Sequence, residues 1–309
     1  GKKYLIVIFF CFMDTYILQH ARLGDMILCN GLIRYLLKKK YKKNKIYIFC
    51  RSRHLKSVDF MYRDQKRVKL IPFNENQKLK DEKLLVKFEI NKVLNIIEKI
   101  KLKKRINFIT IGYENYHKTK ELNLDKNFPW PCDIVFYKQF NIPFKYRFLN
   151  SYWKRDIKNE KKLFKKLVGI NQPYAFVHDD SDRNFIIDTK HINPNLKIIR
   201  NDKKELIFNF GLILERAKEI HIMESSFRQI IEVLNTKNIK LYLYKGRGGE
   251  HAIDLYNKKK KKWVGTSKKW KIIKTNIDLN KRKKNILGII MFIISRLNQK
   301  IIYYLSKNS

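Results

Sequence analysis

The chain has 309 residues, 44% hydrophobic and 13% aromatic, so it can bury one large core or two of ordinary size and is not a wholly disordered chain. Its 69 Lys and Arg residues against 28 Asp and Glu give a formal net charge of +41. A field of this sign attracts phosphates on nucleic acid, lipid or nucleotides, although the abundance of Lys, Asn, Ile, Tyr and Phe also fits an AT-rich coding bias. The sequence has no zinc-finger spacing, basic-zipper heptads or RNA-binding aromatic motif, so we expect no specific nucleic-acid partner.

Two lysines follow Gly1, and an apolar run then extends from Tyr4 to Met13. The run is too short to span a bilayer, and no small-residue cleavage site of a signal peptide follows it. We interpret residues 1–12 as an N-terminal extension of the fold, with a short membrane-touching segment as the alternative.

The first half alternates strand-like and helix-like segments, which predicts parallel β-α-β units. The predicted strands are 15–20, 45–50, 68–73 and 106–113, and the predicted helices are 25–40, 55–62 and 80–101. A Pro-rich and aromatic stretch at 127–144 interrupts the pattern. A charged helix predicted at 151–168 ends at Gly169 and marks a domain junction.

The second half repeats the same alternation. Its predicted strands are 173–178, 195–202, 219–223 and 239–246, and its predicted helices are 205–217 and 226–234. Residues 276–309 combine a basic cluster with an apolar run and are typical of an amphipathic helical tail. The tail either packs on the rest of the protein or lies on an anionic membrane surface.

These segments predict an α/β protein with two Rossmann-like β-α-β domains that face a cleft. The predicted parts are an extension (1–12), a first Rossmann-like domain (13–150), a linker helix (151–172), a second Rossmann-like domain (173–275) and the basic tail (276–309). In open parallel sheets, ligands bind beyond the carboxyl ends of the strands, so the loops there are the candidate sites.

The first candidate loop follows the first strand and contains His20, Arg22, Gly24 and Asp25. Glycine permits a tight turn and the close approach of a ligand. Asp25 can cap the helix that follows, or, facing a cleft, it can take a proton from a hydroxyl. Arg22 and His20 suit a phosphate or a sugar. The loop has no G-x-G-x-x-G spacing, so a dinucleotide site is not supported.

The second candidate loop opens the second half and contains His178, Asp180, Asp182, Arg183 and Asn184. Asp180 and Asp182 fit the D-x-D pattern that holds a divalent metal in some sugar transferases, while Arg183 can pair with a diphosphate. A polar turn without a ligand is the alternative for the whole loop.

The third candidate loop contains Glu224, Ser225 and Ser226, where a strand enters a helix. A serine here either caps the helix or, with the free backbone N–H groups, binds a phosphate. The loop is predicted to lie on the same sheet edge as the second one.

The four cysteines form no C-x-x-C pair and have no histidine at ligand spacing. Cys29 and Cys50 fall in apolar segments and are expected to be small buried side chains. A reducing compartment fits this usage, and we expect a cytoplasmic protein that can associate with a membrane.

The stretch ARLGDMILCNGLIRYLLKKKYKKNKIYIFC at 21–50 resembles the start of the heptosyltransferase-like glycosyltransferases of family 9 and their relatives with the GT-B fold. The resemblance implies an acceptor-binding first domain, a donor-binding second domain and Asp25 as general base. The family's Asp-Thr-Gly-x-x-His segment, which holds the donor phosphates, corresponds to residues 224–229. There Ser226 stands for the glycine and Gln229 for the histidine.

The sequence therefore predicts an inverting glycosyltransferase with a nucleotide-sugar donor, a glycan or glycolipid hydroxyl acceptor and no metal or other cofactor. One alternative is a Mg- or Mn-dependent transferase that uses Asp180 and Asp182. Another is a non-catalytic basic protein that binds an anionic polymer or a membrane surface.

Overall fold

The computed structural model describes residues 13–20, 22–76, 82–113, 132–169, 172–179, 186–244, 256–257, 262–263 and 266–273. The chain divides into two compact units, Gly1–Ile273 and Lys274–Ser309. The second unit, which includes the predicted tail 276–309, and the extension 1–12 lie outside the described residues. The predicted division of the first unit between residues 150 and 173 stays a prediction.

The first half forms a four-stranded parallel sheet with the strand order β3-β2-β1-β4. Its elements are β1 (Thr15–Gln19), α1 (Leu23–Leu28), α2 (Asn30–Lys39), β2 (Ile46–Arg51), α3 (Leu55–Tyr62), β3 (Val68–Phe73), α4 (Glu82–Lys101) and β4 (Asn107–Ile111). Every predicted strand of this half is present. The single helix predicted at 25–40 is wrong, because a turn at Cys29 divides it into α1 and α2.

The second half forms a five-stranded parallel sheet with the order β11-β8-β7-β5-β6. The elements that follow β4 are α5 (Cys132–Lys138), α6 (Tyr146–Leu149), α7 (Ile157–Leu167), β5 (Tyr174–His178), β6 (Lys197–Arg200), α8 (Gly211–Arg216), β7 (Glu219–Met223), α9 (Ser226–Ile231), β8 (Lys240–Tyr244), β9 (Tyr256–Asn257), β10 (Lys262–Trp263) and β11 (Trp270–Ile273). The predicted α/β class with two Rossmann-like halves is confirmed.

Helix boundaries in this half differ from the prediction for local reasons. The helix predicted from residue 151 begins only at Ile157, because the Asp156 carboxylate accepts a hydrogen bond of 3.1 Å from the backbone N–H of Asn159 and caps it. It ends, as predicted, before Gly169, whose φ of +81° suits glycine. Strand β11 was not predicted at all.

The two halves share one hydrophobic core. A continuous cluster of buried side chains contains Ile17 and Leu32 from the first half and Phe176 and Phe208 from the second. The ring of Phe60 on α3 stacks on that of Phe208, with centroids 5.4 Å apart. Because both halves bury apolar surface against each other, residues up to Ile273 form one unit.

Cys29 and Cys50 are free thiols with no exposed surface, as predicted from the apolar segments around them. Burial, assisted by the nearby charge of Asp59, raises the pKa of the Cys50 thiol to about 11. A thiol held protonated in this way is a poor nucleophile, so Cys50 acts as a packing residue.

Candidate functional site

Each sheet has one place where its strand order reverses, and the candidate loops lie at both. In the first sheet the chain runs from β1 to β2 and β3 on one side and then to β4 on the other. In the second sheet the reversal falls between β5 and β7, which pair directly. Ligands of open parallel sheets bind at the carboxyl ends of the strands beside such a reversal. His178, which ends β5, and the third candidate loop, which follows β7, therefore lie at one sheet edge.

The first candidate loop is shorter than the sequence suggests. Helix α1 begins at Leu23, so Gly24 and Asp25 lie in its first turn and not in a loop before it. Arg22 occupies the capping position and makes no side-chain capping bond. The interpretation of Asp25 as the helix cap is therefore wrong. A carboxylate in the first turn is still favoured by the helix dipole.

His20 follows β1 directly and is wedged between aromatic rings. Its ring centroid lies 4.6 Å from that of Tyr113 and 5.7 Å from that of Phe136. Burial, together with the positive charges of Arg22 and Arg51, lowers the pKa of His20 to about 4. The imidazole is therefore neutral at pH 7.

His20 and Asp25 form a pair at the edge of the first sheet. Nδ1 of His20 lies 3.8 Å from Oδ2 of Asp25. About a quarter of each side chain remains exposed, 25% for His20 and 23% for Asp25. Asp25 is thus reachable by a small molecule while one of its oxygens faces a fixed neutral imidazole.

At the second sheet, His178 is the last residue of β5 and is already engaged. Its Nδ1 lies 2.9 Å from Oδ1 of Asn201, and its ring centroid lies 4.5 Å from that of Phe227. The remaining predicted residues of this loop, Asp180, Asp182, Arg183 and Asn184, lie outside the described residues.

The third candidate loop joins β7 to α9. Ser225 stands at the capping position, but its side chain makes no capping bond, so the predicted serine cap is wrong. The Ser225 hydroxyl has no hydrogen-bond partner among the residues described. Glu224 is engaged instead: its carboxylate lies 3.3 Å from Nε of Arg228 and accepts a hydrogen bond of 3.1 Å from Nε2 of Gln229.

The loops of the two sheets touch each other. A Cβ placed on Gly24 would lie 3.7 Å from the Cα and N atoms of Ser226 and 3.9 Å from Cγ of Gln229. We call this meeting of Gly24, Asp25, Ser225, Ser226 and Gln229 the loop contact. The loop contact joins the first turn of α1 to the start of α9. The positions at which the strand order reverses in the two sheets therefore lie next to the same group of residues.

Charged side chains are buried beneath the loop contact. Arg147 on α6 is 1% exposed, donates a hydrogen bond to the Gln229 side chain, and lies 3.9 Å from the carboxylate of Asp133. We call the set of neighbouring charges the interface charge cluster. Its members are Asp133, Arg147, Glu224, Arg228 and Glu232.

The three carboxylates of this cluster differ in pKa. Burial raises the pKa of Asp133, and it raises the pKa of Glu224 to about 7 despite the nearby charge of Arg228. Burial also acts on Glu232, but Arg228, Arg147 and hydrogen bonds from Thr266 and Ser267 outweigh it and lower that pKa. Glu232 is therefore the cluster's firmly ionised carboxylate.

Several residues of the site were missed at the sequence level. Gly112, at φ +82°, makes room for the His20 ring, since a Cβ there would lie 2.7 Å from Cδ2 of His20. The glycine directly after β4 was a usable signal, because that strand ends at the reversal. Arg147 and Asp133 had no such signal, since they lie in the irregular stretch between the halves.

Neither a metal cluster nor a membrane span is found in the described ranges. They contain no group of three or more His, Cys, Asp or Glu side chains placed to hold an ion, and Asp180 and Asp182 are not among them. Each helix of these ranges is too short or too polar to cross a bilayer.

No protein-family model and no curated protein matches the chain. Among solved structures, it is similar to a glycosyl transferase family 9 from Veillonella parvula, at 10% identity and a TM-score of 0.49 over 89% of this chain and 91% of that one. It is also similar to the ADP-heptose LPS heptosyltransferase II of E. coli, at 10% identity and a TM-score of 0.44 over 84% and 90%.

A third similar structure is the E. coli heptosyltransferase WaaC with ADP-2-deoxy-2-fluoro heptose, at 10% identity and a TM-score of 0.39 over 84% and 93%. The name of the first of the three structures contains the family that residues 21–50 resemble. At this identity and these TM-scores, we take no activity from them.

Proposed function

We propose that the protein is a glycosyltransferase that moves a sugar from a nucleotide-sugar donor to a hydroxyl of a glycan or glycolipid acceptor, with inversion at the sugar carbon. The observation that supports this most is the loop contact. It places the first turn of α1, which carries the partly exposed Asp25, beside the hydroxyl-bearing loop of the other sheet. Two substrates bound on the two edges would therefore meet beside Asp25.

Asp25 serves as the general base in this proposal. Its carboxylate takes the proton of the acceptor hydroxyl as that oxygen forms a bond to the anomeric carbon of the donor sugar. The bond from that carbon to the diphosphate oxygen breaks, and its electron pair leaves with the nucleoside diphosphate. One displacement from the opposite side inverts the configuration.

The donor lies on the second sheet in this proposal, beside His178 and the loop of Glu224, Ser225 and Ser226. The Ser225 hydroxyl, which has no hydrogen-bond partner among the residues described, is proposed to donate a hydrogen bond to a phosphate oxygen of the nucleotide sugar. Arg183 is proposed to neutralise the charge that develops on the leaving diphosphate, so that no metal is required. The net charge of +41 favours the approach of such anions.

The first test is a thermal-shift screen with ADP-, GDP- and UDP-sugars, because a ligand that binds only the folded state raises the melting temperature. The donor that binds is then used to measure release of nucleoside diphosphate with candidate glycan acceptors. We expect Asp25→Asn to lower kcat on the order of 10²- to 10⁴-fold while donor binding persists.

The matched control is Asp59→Asn, which removes an exposed carboxylate on α3. It should retain turnover. If no nucleotide sugar binds, or if Asp25→Asn turns over like the wild type, the proposed function is wrong. Loss of turnover on adding a chelator would instead favour the metal-dependent alternative through Asp180 and Asp182.

A further inference from the structure

The sequence placed His20 among the acceptor contacts, but the structure fixes its ring from three sides. Tyr113 and Phe136 pack against it, and both are buried. Gly112 closes the side of Cδ2 and Nε2, since a Cβ there would lie 2.7 Å and 3.2 Å from those atoms. Gly112 is itself held by a hydrogen bond of 2.9 Å from its N–H to Oε1 of Gln139.

This packing decides which nitrogen faces which neighbour. The Nε2 edge lies against the backbone of Gly112, and Nδ1 lies 3.8 Å from Oδ2 of Asp25. That distance exceeds a hydrogen bond, but catalytic contacts in ligand-free proteins are often long and shorten when substrate binds. A small rotation of the Asp25 side chain would bring Oδ2 within hydrogen-bond distance of Nδ1.

We propose that His20 is a positioning residue for Asp25: a neutral imidazole, protonated on Nδ1, that donates to one carboxylate oxygen and leaves the other directed at the acceptor hydroxyl. The catalytic part of this inference rests on the proposed function. In the reaction the acceptor's proton moves to Asp25, and the Nδ1 proton stays on His20. The imidazole neither gains nor loses a proton over the step.

The opposite assignment, with His20 as the base and Asp25 orienting it, fits the site less well. A base must present a free nitrogen to the hydroxyl, and Nε2 faces Gly112. The other nitrogen, Nδ1, faces the Asp25 carboxylate and is not presented to a substrate hydroxyl.

The first experiment needs no substrate. The chain has seven histidines, so the ¹⁵N-imidazole signals of the histidine-labelled full-length protein can be assigned, with His20→Asn identifying the signal of residue 20. We expect His20 at pH 7 to be neutral with its proton on Nδ1. In Asp25→Ala the proton should move to Nε2, the usual tautomer in water.

His54 is the matched control for this measurement. It lies after β2 at the same sheet edge, and burial with Arg53 and Arg51 likewise lowers its pKa to about 4. Among the described residues, no hydrogen bond or ion pair joins His54 to Asp25, so Asp25→Ala should leave the His54 tautomer unchanged. A wild-type His20 protonated on Nε2, or one indifferent to Asp25→Ala, would overturn the proposal.

The second experiment uses the donor found in the thermal-shift screen. The amide nitrogen of Asn occupies nearly the place of imidazole Nδ1, that of Gln the place of Nε2, and Phe keeps only the ring. We expect His20→Asn to retain most turnover, and His20→Gln and His20→Phe to lower kcat on the order of 10²-fold with KM for the donor unchanged.

The outcomes separate this inference from the proposed function. If Asp25→Asn abolishes turnover but His20→Phe does not affect it, the base assignment stands and the positioning role of His20 is wrong. If Asp25→Asn has no effect, the proposed function fails, while the tautomer measurement still decides whether His20 donates to Asp25. Equal losses in all three His20 variants would indicate a packing role only.

Discussion

The loop contact and the interface charge cluster lie one above the other and are built in opposite ways. In the loop contact, Gly24 leaves room for one further carbon atom beside Ser226, and Asp25 stays partly exposed beside a neutral histidine. In the cluster below, Arg147 and Arg228 are 1% exposed and are surrounded by carboxylates. Gln229 belongs to both layers, since it lies near Gly24 and bonds to Arg147 and Glu224.

This difference shows how one interface can be held firmly by buried charges and still keep one carboxylate accessible to a substrate. A buried charge that loses its partner costs several kcal/mol, so a cluster of such charges resists separation. A carboxylate inside the cluster, such as Glu224, is already paired with Arg228 and hydrogen-bonded to Gln229. Asp25 lies outside the cluster, and its removal should affect the reaction and not the fold.

The largest expected effect on stability comes from Arg147→Met. It leaves the buried Asp133 without its facing charge and Gln229 without its donor. We expect a loss of about 3–5 kcal/mol in the free energy of unfolding, measured by urea denaturation.

Arg216→Met is the matched control, because Arg216 is exposed on α8 with its guanidinium 5.4 Å from the ring centre of Phe164. It should cost less than about 1 kcal/mol. Equal losses of unfolding free energy in the two variants would show that burial does not make the interface charge cluster contribute more to stability than an exposed arginine does.

A smaller, pH-dependent effect is expected from Glu224→Gln. The folded protein holds the Glu224 proton with a pKa of about 7, above the ordinary 4.5 of the unfolded chain. This group therefore favours folding below pH 4.5, and that contribution is lost as the pH rises to 7, by at most about 3 kcal/mol. Relative to the wild type, Glu224→Gln should gain stability across this window.

The measurement for Glu224→Gln is urea unfolding of both proteins at pH 5 and pH 8. Groups other than Glu224 titrate in both proteins, so the difference between them isolates this carboxyl. A difference that stays constant between the two pH values contradicts the raised pKa.

The smallest effect on stability is expected from Gly24→Ala. The added Cβ would meet Ser226 at 3.7 Å, which is ordinary contact, and alanine is favoured over glycine within a helix. We expect a change of less than about 1 kcal/mol, while the added methyl narrows the approach to Asp25 and lowers turnover.

Gly31→Ala provides the comparison for Gly24→Ala by the same thermal or urea measurement. At Gly31 a Cβ would lie 2.5 Å from the backbone oxygen of Tyr146, so overpacking should cost about 1–3 kcal/mol or more. If Gly24→Ala destabilises as strongly as Gly31→Ala, the loop contact has no room for a methyl group at position 24.

The sequence by itself determined strands β1 to β8, their parallel pairing and the candidate loops at their carboxyl ends. Apolar segments such as 68–73 carry their strand signal locally, and parallel β-α-β order follows from their spacing. His20, Asp25 and Ser225 were placed at sheet edges because parallel strands direct their carboxyl ends the same way. The helix cap at Asp156 is also a local signal, because the aspartate directly precedes the helix.

Only the tertiary structure decided what those residues touch. Gly24 lies beside Ser226 of the second half, and Arg147 joins Asp133 to Gln229, which is 82 residues further along the chain. His20 and Asp25 are near each other in sequence, but Gly112, Tyr113 and Phe136 hold the His20 ring so that Nδ1 faces Asp25. Burial then set the charges, since the same desolvation makes His20 neutral and keeps Glu224 half protonated near pH 7. A local pattern fixes which face of an element is apolar, whereas contacts and pKa values depend on which distant faces pack together.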